Sequence, residues 1–248
     1  MTVSSALGVR RPHWSLARTW LLQPGGPDVA HQTTGAADVV VLDLEDGLPA
    51  AEKRSGRQAV AVGSAPGLDG VMLAKTESAD ELSATAARLT AGVPLVALIE
   101  SALGIESALG IARRSSRIAF GIGDFRRDTG MSGDPLVLAY PRVRLVVASR
   151  AAGLPAPIDG PTLRDQARHL ARDTDVAKAA GMTGRLCLDA GHAKTINALL
   201  SPSALEIDEA RSTMKRLDAP TAPYDGSVGP TRARAEAVLD LAAKLGVA

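Results

Sequence analysis

Residues 94–124 read PLVALIE, then SALGIESALGIARRSSR, then IAFGIGD. The first and last pieces are apolar runs of strand length, and each ends on a carboxylate, Glu100 and Asp124. Neither run alternates apolar with polar. Both therefore read as strands covered on two faces, which is the condition inside a parallel sheet. The middle piece has the length and pattern of a crossover helix, so the segment is a strand–helix–strand unit. The hexapeptide ESALGI occurs twice in tandem, at 100–105 and 106–111, which makes Glu106 a competitor of Glu100. Only Glu100 terminates an apolar run, and Glu106 falls in the helix that follows.

The same unit recurs in both directions. Further runs are 20–23 (WLLQ), 38–44 (DVVVLDL), 70–74 (GVMLA), 155–159 (PAPID) and 185–189 (RLCLD). Between them lie helices with start and stop signals. Ser78 with Glu81 and Ser203 with Glu206 form capping boxes. Gly92 closes the first of these helices ahead of Pro94, and the second runs to about Leu217. A third spans 165–180 and ends at Gly181. Repeated strand–helix units in a chain of 248 residues predict an α/β fold of the (β/α)8 TIM-barrel type. The interval from Asp46 to Gly70 is too short for a full helix–strand–helix, so the third strand is expected to be stunted, over 59–63, or missing. A doubly wound open sheet is the rival. One domain is expected, as an N-terminal tail over 1–17, a barrel over 18–200 and a C-terminal helical or lid segment over 201–248.

Composition narrows the function classes. Hydrophobic residues make up 46% and charged residues 22%, as in an ordinary globular protein. With 28 basic against 27 acidic residues the net charge is +1, which supplies no field for nucleic acid or an anionic membrane. Two residues each of Trp, Tyr and Phe are too few for a base-stacking surface. No apolar run approaches the roughly 20 residues that span a bilayer, and residues 1–18 lack a signal-peptide pattern. The single cysteine, Cys187, forms neither an internal disulfide nor a thiolate zinc cluster. A cytoplasmic location is the expectation. Gly121-Ile-Gly123 falls short of the dinucleotide fingerprint, so no nicotinamide cofactor is implied.

Barrels and open sheets alike carry their chemistry where strands end. Here those positions are acidic: Asp43, Glu45, Asp46, Glu100, Asp124, Asp159 and Asp189, with Lys75 among them. Carboxylates converging on one rim repel unless a cation or arginines neutralise them. A hard divalent ion such as Mg²⁺ does so with oxygen ligands, often one or two carboxylates plus water and substrate oxygens. Any one of these acids has capping of the next helix as its alternative role. Cys187 lies in an apolar run and reads as a small buried hydrophobe. Arg113, Arg114 and Arg117 read as solvated charges.

Asp43-Leu-Glu-Asp-Gly47 with Lys53 and Arg57, Val71-Met-Leu-Ala-Lys75 and Leu98-Ile-Glu-Ser101 resemble segments of the citrate lyase β-subunit-like family. The resemblance continues through Gly121-Ile-Gly-Asp-Phe125 with Asp128 and Gly130, Arg150-Ala-Ala-Gly-Leu154 and Ile158-Asp-Gly-Pro161. Order and spacing match from about Arg18 to Leu239. The family belongs to the superfamily of metal-dependent aldolases and malyl-, citramalyl- and citryl-thioester lyases. The resemblance implies a (β/α)8 barrel, a homotrimer, and Mg²⁺ held by Glu100 and Asp124. It further implies cleavage or formation of a carbon–carbon bond beside a carbonyl, on a small 2-oxo or hydroxy acid or its CoA thioester. Mg²⁺ would orient the acid and polarise its oxygen. Asp46 stands where the pyruvate-type aldolases have a histidine, which favours the thioester-lyase branch. Asp46 and Lys75 are the candidates for proton handling at the rim.

Five departures fall at functional positions. Pro24-Gly-Gly-Pro27 lacks the family's arginine, and no arginine ends the third strand, leaving Arg57 as the candidate for the substrate carboxylate. Ala74 replaces the proline before Lys75, and Asp189-Ala-Gly-His192 replaces a His-Pro-x-Gln segment. Gly229, in Gly226-Ser-Val-Gly-Pro230, stands where the lyases place an aspartate lent by a neighbouring subunit. A general acid–base group contributes typically about 10²–10⁴ in rate, and Asp225 is the nearest substitute. The expected function is a Mg²⁺-dependent carbon–carbon lyase. The alternatives are a catalytically impaired paralogue acting as a binding or assembly partner, and a free 2-oxo acid aldolase, metal-dependent or using Lys75 as a Schiff-base nucleophile.

Overall fold

A computed structural model of the chain describes residues 11–25, 35–45, 69–219 and 225–247, with positions 49 and 51. Seven strands form one parallel sheet: β1 (Thr19–Pro24), β2 (Val39–Asp43), β3 (Val71–Leu73), β4 (Leu95–Ile99), β5 (Arg117–Phe120), β6 (Ile158–Asp159) and β7 (Gly184–Cys187). Their order is β2-β1-β7-β6-β5-β4-β3. The last strand pairs with the first, Trp20 opposite Leu186, so the sheet has rolled round on itself. Among the described residues, β2 and β3 are the two edges of the sheet. The expected third strand at 59–63 lies outside the described residues, as do Asp46 and Arg57.

Side-chain alternation decides between barrel and open sheet. Trp20 of β1, Val39 and Val41 of β2, Met72 of β3, Val96 of β4, Ala119 of β5, Ile158 of β6 and Leu186 of β7 meet in a single cluster. One face of an open sheet cannot bring all its strands to a common centre, whereas a barrel interior does. The opposite faces, with Leu95, Ala97, Ile99, Ile118 and Phe120, pack against the helices. The helices among the described residues are α1 (Ala79–Ala86), α2 (Ala102–Glu106), α3 (Ala108–Ala112), α4 (Ile122–Thr129), α5 (Ala139–Ala151), α6 (Leu170–Ala179), α7 (Ala193–Leu200), α8 (Ala204–Leu217) and α9 (Val228–Leu245). No helix among the described residues is long and apolar enough to cross a membrane.

Both predicted capping boxes form, at Ser78–Glu81 and Ser203–Glu206. The helix expected to reach Gly92 stops at Ala86. There the Arg88 and Leu89 N–H groups bond three residues back, and Gly92 turns the chain with φ +88°. The helix expected over 165–180 is a 3-10 segment, Arg164–His169, followed by α6, because Gln166 leaves helical geometry at φ −109°.

Arg117 corrects the sequence reading outright. It is fully buried, at the N-terminal mouth of the barrel. Its Nε donates to Ala156 O at 2.9 Å, its Nη1 to Trp14 O and Ala17 O at 3.0 Å each, and its Nη2 to Thr183 Oγ1 at 3.1 Å. The guanidinium also lies 5.7 Å from the centre of the Trp20 ring. It thus ties the segments leading into β1, β6 and β7 and plugs the barrel floor. Burial pulls its pKa down to about 9.

Candidate metal centre

Glu100 follows β4 in phase with Val96, which places its side chain over the barrel interior. It is 7% exposed. Its Oε1 accepts the Lys75 backbone N–H at 2.8 Å. Lys75 has φ +51° and is the single non-glycine with positive φ among the described residues. Such a conformation costs on the order of 1 kcal/mol and persists where neighbours enforce it. Here Thr76 enforces it, through its N–H on Leu98 O at 3.0 Å and its hydroxyl on Leu73 O at 2.8 Å. The turn after β3 is thus pinned so that one amide faces one carboxylate.

The loop carrying Glu100 is clamped from two sides. Ser101 Oγ donates to Glu77 Oε1 at 2.6 Å and accepts the Gly104 N–H at 3.2 Å, capping α2. The Ala102 N–H donates to Asp128 Oδ2 at 2.8 Å, which joins α2 to α4. Gly121, the residue after β5, leaves the room Glu100 occupies. A Cβ there would lie 2.6 Å from the Glu100 Cβ and 3.1 Å from its Cδ.

Asp124 sits in the first turn of α4 rather than at the strand end itself, because the chain turns helical directly after Gly121. The helix dipole favours a carboxylate there. Arg127 one turn on reaches its Oδ1 at 3.1 Å, from a side chain that is itself 68% exposed. Glu45, just past β2, is held by its N–H on Asp43 Oδ1 at 2.8 Å and pairs with the Lys75 ammonium.

These groups give the site its electrostatics. The Glu100 carboxyl is pushed up to about 7, chiefly by burial and further by the charges of Asp124 and Glu45. The Lys75 N–H and ammonium pull the other way. A buried carboxylate beside two other negative charges is a place where a cation is favoured. Among the described residues no group of three or more His, Cys, Asp or Glu could enclose a metal ion. Two carboxylates with room beside them for water and substrate oxygens are the kind of donor set that Mg²⁺ takes.

Of the predicted site residues, the fold brings Glu100, Asp124 and Lys75 together. Two other strand-end acids are committed elsewhere. Asp159 points outward, opposite in phase to Ile158, is fully buried under α5, and bonds Arg142 Nε at 3.0 Å. Asp189 caps a short 3-10 turn by accepting the Gly191 N–H at 2.8 Å. Gly229 lies in the first turn of α9 with open space at its Cβ position, and Asp225 caps the Ser227 N–H at 2.7 Å. Sequence reasoning missed Gly121 and Glu77. Gly121 precedes the matched aspartate by three, and Glu77 stands beside the first capping box.

A family model for HpcH/HpaI aldolase/citrate lyase matches residues 62–190, just over half of the chain. The chain belongs to this family. It is 28% identical over 250 residues to citrate lyase subunit beta of Leuconostoc mesenteroides subsp. cremoris, covering 82% of this chain and 83% of that one. It is similar to RipC from Yersinia pestis at 28% identity and a TM-score of 0.67, over 79% of this chain and all of that one. CitE from Mycobacterium tuberculosis, in complex with magnesium, acetoacetate and coenzyme A, shares the fold at 23% identity. Its TM-score is 0.76, over 92% of this chain and 99% of that one.

Proposed function

We propose that this member of the family is a Mg²⁺-dependent carbon–carbon lyase acting on a small hydroxy-dicarboxylic acid as its CoA thioester. The observation that carries the reading is the Glu100 carboxyl, buried, aimed into the barrel mouth and raised to about 7 beside Asp124 and Glu45. Glu100 and Asp124 would hold the metal. When bound, Mg²⁺ supplies a fixed positive charge that orients an acid substrate and stabilises negative charge developing on its oxygen. The Lys75 amide keeps Glu100 aligned. The Lys75 ammonium, paired with Glu45, is positioned for proton handling at the rim. Asp46 and Arg57 are proposed as the proton-handling acid and the substrate-carboxylate anchor. The M. tuberculosis CitE complex with magnesium, acetoacetate and coenzyme A supports both metal and substrate class. Assembly as a trimer, as the resemblance implies, is part of the proposal.

The test is calorimetric titration of oxaloacetate or glyoxylate, with and without Mg²⁺, on wild type and Asp124→Ala. Binding that requires both Mg²⁺ and Asp124 supports the reading and directs the search to CoA thioesters. A second reading, a scaffold that has lost turnover, is favoured by Gly229, which offers no side chain where the lyases carry an acid. Mg²⁺-dependent binding without cleavage of any thioester would establish it, and absence of binding under every condition would overturn the metal-centre reading.

A further inference from the structure

Gly121 and Gly160 each stand one residue past a barrel strand, after β5 and β6. The space over each is filled from the neighbouring strand's exit: Glu100, after β4, lies over Gly121, and Ile122, the first residue of α4, lies over Gly160. The exits of three adjacent strands thus interlock. A Cβ on Gly160 would stand 2.6 Å from Ile122 Cγ1, 2.7 Å from its Cδ1 and 2.9 Å from its Cβ. Carbon atoms in ordinary contact sit about 3.5–4.0 Å apart. Rotating the Ile122 side chain would withdraw Cγ1 and Cδ1, but Cβ is fixed to the backbone and does not move with the rotamer. Relief at Cβ therefore requires the main chain to shift by roughly 0.5–1 Å.

Gly160 is not free to supply that shift. Its carbonyl accepts Arg185 Nη2 at 2.8 Å. That arginine is 1% exposed, and its guanidinium is held in turn by Thr162 Oγ1 at 3.1 Å and Thr174 Oγ1 at 3.2 Å. The residue before Ile122 is pinned as well, since the Gly121 N–H donates to Ile99 O at 2.9 Å. What can give way is the first turn of α4, and that turn carries Asp124 two residues after Ile122. The Arg127 partner of Asp124 is exposed, and a surface ion pair of that kind is too weak to hold the turn in place.

We propose that Gly160 is a positioning residue for Asp124: its missing side chain seats Ile122, and the seated Ile122 sets where the first turn of α4 presents the aspartate beside Glu100. The proposal rests on the reading of Glu100 and Asp124 as metal ligands. Gly160 acts through Ile122 and makes no contact with the ion.

Mg²⁺ calorimetry and thermal unfolding on the full chain test this. Gly160 is not among the residues with positive φ, so alanine enters there through its methyl group alone. Gly160→Ala should weaken Mg²⁺ binding about 10–100-fold, the usual effect of disturbing a ligand's supports. Ile122→Ala empties the seat without crowding it and should weaken binding severalfold, which decides the question if Gly160→Ala fails to fold. In the double variant the methyl added at 160 enters space given up at 122, so the loss should be smaller than the product of the two single losses. Gly184→Ala crowds Arg117 Nη2 at 3.0 Å and Ala17 O at 3.1 Å, at the barrel floor. It should lower the thermal midpoint and leave Mg²⁺ affinity unchanged, which separates positioning from general loss of stability. Wild-type affinity in folded Gly160→Ala or in Ile122→Ala, multiplicative losses in the double variant, or an equal loss in Gly184→Ala would each overturn the proposal and leave the metal centre standing. A wild type that binds no Mg²⁺ would overturn the metal-centre reading itself, and the proposal with it.

Discussion

Gly121→Ala is the most discriminating small change available at the candidate metal centre. Gly121 adopts φ −88°, ψ 81°, a region open to alanine, so the substitution acts through its methyl group and not through backbone strain. That methyl would stand 2.6 Å from the Glu100 Cβ and 3.1 Å from its Cδ, well inside van der Waals contact. The side chain has little freedom to retreat, because Lys75 N–H holds its Oε1 and Ser101 and Ala102 anchor the next residues. Overpacking of this kind costs about 1–3 kcal/mol, and a chain of this size loses about 2–4 °C of thermal midpoint per kcal/mol. A fall of about 2–12 °C is therefore expected. Moving a metal-ligating carboxylate by disturbing its supports typically weakens metal binding about 10–100-fold. Thermal unfolding reads the first quantity and Mg²⁺ calorimetry the second. Gly121→Ala with wild-type Mg²⁺ affinity would refute the role assigned to Glu100. An unchanged midpoint would refute the packing argument.

Two further perturbations follow from the same geometry. The raised Glu100 pKa means that the metal-free folded state holds a proton between about 4.5 and about 7 that the unfolded chain has released. Stability of the metal-free protein should therefore decline as pH rises through that window. Saturating Mg²⁺ should remove the decline, Mg²⁺ affinity should drop as pH falls below about 7, and Glu100→Gln should abolish both dependences in a pH series of unfolding curves. Arg142→Met removes the partner of Asp159 in a fully buried pair. Loss of one member of such a pair costs about 3–5 kcal/mol, measurable by urea denaturation, while Mg²⁺ affinity should hold because the pair faces the helices and not the barrel mouth.

Much of this molecule was legible in the sequence because it is written locally. All seven apolar runs became strands, since a run of strand length flanked by helix signals needs no distant information. Glu100 was distinguished from Glu106 in the tandem repeat because only the former ends such a run. The capping boxes formed because they involve four consecutive residues. Asp159 and Asp189 look like Glu100 in the sequence, each a carboxylate at the end of an apolar run. Whether such an acid faces the barrel mouth or the helices depends on the phase of its strand in the sheet. Asp159 stands one residue out of phase, against a helix that happens to carry Arg142.

Tertiary structure alone decided the rest. Closure rests on β1 pairing with β7, across more than 160 residues, and no local pattern encodes that register. Arg117 reads as a surface charge until the starts of three strands converge and offer it four acceptors. The site depends likewise on a glycine after β5 making room for a carboxylate after β4, and on a strained lysine after β3 aiming its amide there. Sequence determines which residues sit at strand ends. Which of those ends face one another, and therefore which charges share one site, is fixed only when the sheet closes.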